Sequence, residues 1–275
     1  MPELALNGQT FSVRYPAVMG VLNVTPDSFS DGGRHFSVAA AAERAAQMRE
    51  EGAAFIDVGG ESTRPGSEPV SAEEEMRRVL PVIEALPKDD FILSADTTKP
   101  EVAEAALAAG AHVLNDVSGV LSSERIALAE KYGAGYVFMH AQGTPKSMQD
   151  APSYEDELSE VRGFFEEAAA ELLNRSLPAV WMDPGIGFGK TLAHNLTLMR
   201  RFDALRDERW ELLAGVSRKS WVHHLCGKAP EPGDRLGASL AAALRLAEKG
   251  AAILRVHDVA ETAQALQVFE ELRNG

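Results

Sequence analysis

The sequence predicts an α/β protein: a single (β/α)8 TIM barrel over residues 1–275, one domain, with residues 1–16 as a short N-terminal hairpin closing its bottom. Three observations carry that reading. Short β-branched runs alternate with longer Ala-, Glu-, Leu- and Arg-rich segments of helical spacing, which is the mark of βα repetition. Several helix-to-strand joints repeat a Gly-Ala theme ("EGAAFID", "AAGAHVL", "YGAGYVF", "EKGAAIL"), so that Gly closes the helix and the next strand begins at once. Eight units in 275 residues average about 34 residues each, the size of a barrel repeat; an open doubly wound sheet would offer fewer strands and one switch point.

Taken along the chain, "LALNGQTFSV" sets an Asn-Gly turn between alternating residues and reads as the closing hairpin. Strands follow at Ala17 to Val24, Phe55 to Gly59, Phe91 to Asp96, Val113 to Val117, Tyr136 to His140, Val180 to Asp183, Leu212 to Val216 and Ala252 to Val256. Helices are expected at Val38 to Glu51, Ala72 to Leu86, Pro100 to Ala109, Ser123 to Lys131, Tyr154 to Asn174, Asn195 to Arg206, Arg235 to Lys249 and Ala260 to Leu272. Pro100 at a first helical position and Ser71 with Glu74 as a capping box support two of the starts.

Composition narrows the function. With 45% apolar and 25% charged residues, and no run near the roughly 20 apolar residues that span a bilayer, this is a soluble globular composition. The start "MPELALNGQT" lacks the basic and apolar regions of a secretory signal, and a lone Cys226 makes no internal disulfide, so a cytoplasmic location is expected. A net charge of −14 argues against general nucleic-acid or anionic-membrane binding. An anionic substrate would have to be held by local cations against that field.

The chemistry collects at one end. Loops entering strands are plain, whereas those leaving strands carry "TPDSFSDGGRHF", "ESTRPGSEP", "TTKP", "HAQGTPKSMQDAPS", "PGIGFGKT" and "SRKSW". In a barrel these emerge together at the carboxyl face, where the fold places its sites. Asp57, Asp96, Asn115, Asp183 and Arg255 interrupt otherwise apolar strands. Buried carboxylates need donors, and two readings stay open: an ion-pair plug inside the barrel involving Arg255, or a set of acceptors for a flat heterocycle rich in N–H groups. The cations Arg64, Arg218, Lys219 and His257 lie on loops, and Lys219, Ser220 and His257 fall where barrels commonly bind phosphate. Cys226 beside Leu225 reads as packing, and the final Gly-Lys-Thr of "DPGIGFGKT" lacks the spacing of a P-loop.

Together "GVLNVTPDSFSDGG", "IDVGGESTRPGS", "SADTTKPEVAEAAL", "LNDVSG", "FMHAQGTPKSMQ", "MDPGIGFGKT", "GVSRKSW" and "ILRVHDVAET" resemble the dihydropteroate synthases of folate biosynthesis, strand one through strand eight in order. Departures are modest: Ala141 where a longer apolar residue is expected, Trp221 in place of Phe, and Trp181 in place of an aliphatic residue, changes that bear on pocket shape.

The resemblance implies a transferase joining 6-hydroxymethyl-7,8-dihydropterin diphosphate to p-aminobenzoate. It implies that Asp96, Asn115, Asp183 and Lys219 bind the pterin, that Arg255 stacks on it, and that Asp57 adds a water-mediated contact or serves the core. The diphosphate would meet Asn23, Thr63, Arg255 and His257, with Val256 also among the substrate-binding residues and Mg²⁺ as cofactor on the amide oxygen of Asn23. Lys219, Arg255, Asp96 and Asp183 are the expected catalytic residues. Thr25, Asp27, Phe29, Thr63, Arg64 and Pro65 on the first two loops would complete a p-aminobenzoate pocket with Phe188, Lys219 and Ser220, with Gly32, Gly33 and Gly66 lending flexibility. Departure of diphosphate would leave a cation delocalised into the electron-rich dihydropterin, so an SN1-like route is expected, which explains why the sequence offers no Ser/His/Asp or Cys/His constellation. Apolar faces on the last two helices (Leu240, Leu244, Ala247, Leu266, Phe269) read as barrel packing, and the resemblance implies a homodimer through this end of the chain. The competing functions are a pterin-binding methyltransferase of the same fold, a Schiff-base lyase using Lys219, and an inactive binding homologue.

Overall fold

The computed structural model describes residues 1–25, 37–62, 67–143, 148, 152–226, 231 and 235–274. Eight parallel strands close into a barrel: β3 (Ala17–Asn23), β4 (Phe55–Gly59), β5 (Ile92–Asp96), β6 (Val113–Asp116), β7 (Gly135–Met139), β8 (Val180–Asp183), β9 (Glu211–Gly215) and β10 (Ala251–Val256). They run in sequence order around the ring, with β10 pairing both β9 and β3. Each lies within one residue of its expected bounds. Ahead of them β1 (Glu3–Leu6) and β2 (Gln9–Ser12) form the antiparallel hairpin, turned by Asn7 and Gly8, both at positive φ (43° and 79°) as an Asn-Gly hairpin turn demands.

The hairpin is fastened to the amino end of the barrel. The Asn7 amide group donates to the carbonyls of Leu107 and Ala111, at 3.0 and 2.7 Å, and its backbone N–H donates to Gly133. Leu6 and Val13 then enter a dry cluster with one or two residues from every barrel strand: Ala17 and Met19, Phe55, Ile92, Val113, Val137, Trp181, Leu213 and Ile253. This is the barrel floor. Trp181 fills it, with the edge of Phe55 against its ring and its indole N–H 3.3 Å from the Tyr15 hydroxyl. A pocket role for that Trp is therefore corrected: it lies at the opposite end from the strand termini.

The outer ring comprises α1 (Val38–Glu50), α2 (Ala72–Ala85), α3 (Pro100–Ala108), α4 (Ser123–Tyr132), α5 (Glu157–Leu172), α6 (Leu192–Arg200), α7 (Trp221–Cys226), α8 (Leu236–Glu248) and α9 (Val259–Asn274). Pro100 opens α3 as expected. The capping box at Ser71 forms only in half: its hydroxyl accepts from Glu74 N–H, but the Glu74 carboxylate is taken by Arg77 and Arg78. The helix expected to begin at Tyr154 starts at Glu157, because Asp156 caps it through the N–H groups of Leu158 and Ser159. The one expected at Asn195 to Arg206 begins at Leu192 behind a Thr191 capping box and ends at Arg200, and a separate 3₁₀ turn spans Phe202–Leu205. The short α7 was not anticipated, and Cys226 at its end is exposed rather than packed. No helix among the described residues is long and apolar enough to cross a membrane.

Candidate active site

Side chains of a strand alternate between faces, so the inward residue after each floor residue lies two positions on. Counting on from Met19, Phe55, Ile92, Val113, Val137, Trp181, Leu213 and Ile253 gives Val21, Asp57, Ser94, Asn115, Met139, Asp183, Gly215 and Arg255. The register supports this second layer: Val21 pairs with Asp57, Asp57 with Ser94, Met139 with Asp183, and Gly215 with Arg255. One step higher on β5 is Asp96, opposite Asn115. The interruptions in the apolar runs are thus one polar storey above an apolar floor.

Within it, Arg255 donates from Nε to Asp57 Oδ2 and from Nη2 to Asp96 Oδ2, each at 2.6 Å. Asn115 donates to the same Asp57 oxygen at 2.9 Å. The ion-pair reading of Asp57, Asp96 and Arg255 is therefore realised, while Asp57 Oδ1 stays buried without a hydrogen-bond partner. Burial raises the Asp96 carboxyl to about 7 even though Arg255 pulls it down, with Asp57 adding to the rise. Asp183 is also raised by burial, against Lys219 and against the Gly185 N–H that donates to its Oδ1 at 2.7 Å.

Lys219 comes from the loop after β9. Its ammonium donates to the Ile186 carbonyl and stands 4.6 Å above the Phe188 ring centre. Burial lowers it to about 8, which Asp183 opposes and Arg255 reinforces. A side chain on Gly215 would lie 3.7 Å from Lys219 Nζ and 3.9 Å from both Arg255 Cβ and Asp183 Oδ2. The bare backbone there leaves room where three charged groups converge, a role sequence reading missed.

The neighbouring loops are cross-tied. Ser217 Oγ accepts from His257 N–H at 3.2 Å and is equally close to His257 Nδ1. Arg218, at φ 57°, forms a bidentate pair with Asp258, so it does not serve the site as an unpaired cation as its loop position suggested. Val256 is buried in the apolar cluster and Ser220 is exposed just before α7. Asn23 ends β3 opposite Gly59, with Thr25 two residues on. A cavity of about 380 Å³ opens beside this storey, lined by Asp96, Thr97, Ser118, Ala141, Met148 and Phe188 among others. The small Ala141 belongs there and also packs against Gly119, on which a side chain would meet the Cβ and backbone of Ala141. Asp27, Phe29, Thr63, Arg64 and Pro65, with Gly32, Gly33 and Gly66, lie outside the described residues.

Sequence reading also missed two supports. Glu75 of α2 is buried and pairs with Lys99, which binds Glu61 as well, tying the end of β4 to α2 and α3. Asp116 faces outward and accepts from Arg125 at 2.8 Å and Tyr136 at 2.6 Å, and Arg125 reaches the carbonyls of Thr98 and Val120. A carboxylate at an apolar helix position was the only available signal for Glu75.

No group of three or more His, Cys, Asp or Glu side chains among the described residues is arranged to hold a metal. Asn23 offers one neutral amide oxygen, a hard donor. That fits an ion such as Mg²⁺ that takes most of its ligands from phosphate oxygens and water, and does not fit a permanent protein cage.

A family model described as "Pterin binding enzyme" matches residues 19–257. The dihydropteroate synthase of Escherichia coli (strain K12) is 44% identical over 271 residues, covering 98% of this chain and 95% of that protein. The Yersinia pestis dihydropteroate synthase, solved as a sulfonamide drug complex, superposes with a TM-score of 0.90 at 42% identity, with 100% of each chain covered. The Xanthomonas albilineans enzyme in complex with 7,8-dihydropteroate gives 0.87 at 39% identity, again over 100% of each chain.

Proposed function

The chain belongs to the pterin-binding enzymes and, among them, to the dihydropteroate synthases, and from that premise we propose how its barrel mouth performs the family's reaction. It is a transferase that condenses 6-hydroxymethyl-7,8-dihydropterin diphosphate with p-aminobenzoate to give 7,8-dihydropteroate and diphosphate. The observation that carries the assignment of roles is the convergence of Asp96, Asn115, Asp183, Lys219 and Arg255 in one polar storey above a dry floor.

In this reading the carboxylates of Asp96 and Asp183 and the amide of Asn115 receive the amino and N–H groups of the pterin. Lys219 donates to its acceptor atoms, and the planar guanidinium of Arg255 lies against the ring. The unpartnered Oδ1 of Asp57 gives a further acceptor below the ring, directly or through water. Arg255 and His257, with the backbone near Val256, face the diphosphate; Asn23 would hold Mg²⁺ there, and when bound the ion would supply positive charge to the leaving group.

The bond between the pterin methylene carbon and the diphosphate oxygen breaks with its electron pair leaving on the diphosphate. The resulting cation is delocalised into the dihydropterin. The neutral arylamine nitrogen then forms the new C–N bond and releases one proton to solvent, so no dedicated base is required. Catalysis rests on fixed charge at the leaving group. Phe188 and Ser220 border the p-aminobenzoate side, with Thr25 and with Asp27, Phe29, Thr63, Arg64 and Pro65, which lie outside the described residues, supplying the rest.

The chain works as one domain in the cytoplasm, and as a homodimer through its last helices, where α9 exposes Val268 and Leu272. Incubating the purified protein with Mg²⁺, the pterin diphosphate and p-aminobenzoate yields dihydropteroate and diphosphate in equal amounts. In a second arm without the amine, bridging ¹⁸O in the pterin diphosphate moves to non-bridging positions. No dihydropteroate in the first arm would refute the assigned activity; product there without scrambling would refute the stepwise route.

A further inference from the structure

Lys190 has no part in the steps above, yet it is buried to 2% exposure at the foot of the loop that carries Phe188. Its Nζ lies 2.8 Å from His140 Nδ1, 3.0 Å from the Phe188 carbonyl and 3.1 Å from the Gly185 carbonyl, with the His140 carbonyl further off at 3.4 Å. Its N–H groups meet three near acceptors. His140 can accept because burial, and then the charge of Lys190, lower its pKa to about 3 and keep the ring neutral.

The loop so gripped, residues 184–189, is shaped for close approach. Gly185, Gly187 and Gly189 all adopt positive φ, and a side chain on Gly185 or Gly189 would collide with the backbone of His140 or Gln142. Asn195 Oδ1 and the Tyr154 hydroxyl secure the loop from outside, at Gly187 and Gly189. Lys190 secures it from within, two residues from Phe188 and directly through the Phe188 carbonyl. The Phe188 ring, in turn, stands against the Lys219 ammonium at the cavity wall.

We propose that Lys190 is a positioning residue for the arylamine subsite: by tying the Phe188 and Gly185 carbonyls to His140 it fixes where the Phe188 ring stands, and so sets the affinity for p-aminobenzoate. The proposal rests on Phe188 bordering that substrate. The pterin anchors Asp96, Asn115, Asp183 and Arg255 come from strands and are spared; Lys219, on the loop after β9, touches the Phe188 ring and is the one anchor that a change at Lys190 can reach. Lys190→Met keeps the aliphatic stem and removes the N–H donors; His140→Phe removes one acceptor, keeps a buried ring, and stands in if the first variant does not fold.

Steady-state kinetics with each substrate varied in turn gives the readout. In Lys190→Met, KM for p-aminobenzoate rises about tenfold or more while KM for the pterin diphosphate stays within about threefold; His140→Phe shows the same selectivity at about threefold. In a cycle with Phe188→Ala, the double variant is little worse than Phe188→Ala alone, because both changes act through one ring. Equal rises in both KM values, no rise, or additive effects in the cycle would overturn the role of Lys190. A Phe188→Ala variant with unchanged KM for p-aminobenzoate would instead overturn the reading of the subsite, and the proposal with it.

Discussion

Lys219 is the residue on which binding and charge meet. Its ammonium is depressed to about 8 by burial, so it is charged below that pH and loses its proton as pH rises through it. The kcat/KM for the pterin diphosphate therefore falls along a one-proton limb near pH 8, seen in a pH profile of the free enzyme's kinetics. Lys219→Ala lowers kcat/KM by on the order of a hundredfold or more at pH 7, and near-normal turnover would contradict its role. Lys190 gives a sign test in stability. Burial lowers it to about 7, so between pH 7 and its unfolded value the unfolded chain carries one more proton than the folded one. Chemical denaturation should show wild type gaining stability relative to Lys190→Met as pH rises from 7 to about 10, and no relative change below 7. The pterin anchors were legible because a charge inside an apolar strand run is anomalous wherever it stands. Lys190 was not, because a lysine after a Gly-rich loop looks like surface until the loop folds back over it.

At the scale of elements, floor and mouth divide the labour. The hairpin β1–β2 does not touch the charged storey; it seals the opposite end through Leu6, which is fully buried among floor residues. Leu6→Ala should cost about 2–4 kcal/mol in thermal or denaturant unfolding while leaving both KM values within about twofold, since the cavity forms far from the mouth. Strand bounds were readable to one residue because β-branched runs between Gly joints have sharp ends, and Gly52, Gly110, Gly133 and Gly250 all take the positive φ that those joints require. Helix ends were less readable where side chains compete for caps, as at Asp156 and Thr191. The short α7 has too few residues to show a period.

For the whole molecule, an acidic protein of net charge −14 turns an anionic substrate into a local problem, solved by placing Lys219, Arg255 and His257 around one mouth. Barrel closure makes this possible: residues distant in the chain, such as Asp57 and Arg255, become neighbours only when β10 pairs with β3. Sequence spacing indicated which residues share the mouth. It raised an ion pair with Arg255 only as one of two readings and did not single out Asp57 and Asp96 as its partners, because that depends on the stagger of strands around the ring.

Function begins with the polar storey gripping the pterin. Calorimetric titration of 7,8-dihydropterin into the wild type, Asn115→Ala and Asp183→Ala tests it most directly. Each substitution should weaken binding about tenfold to hundredfold with the fold intact by circular dichroism. Affinities equal to wild type in both variants would contradict the account.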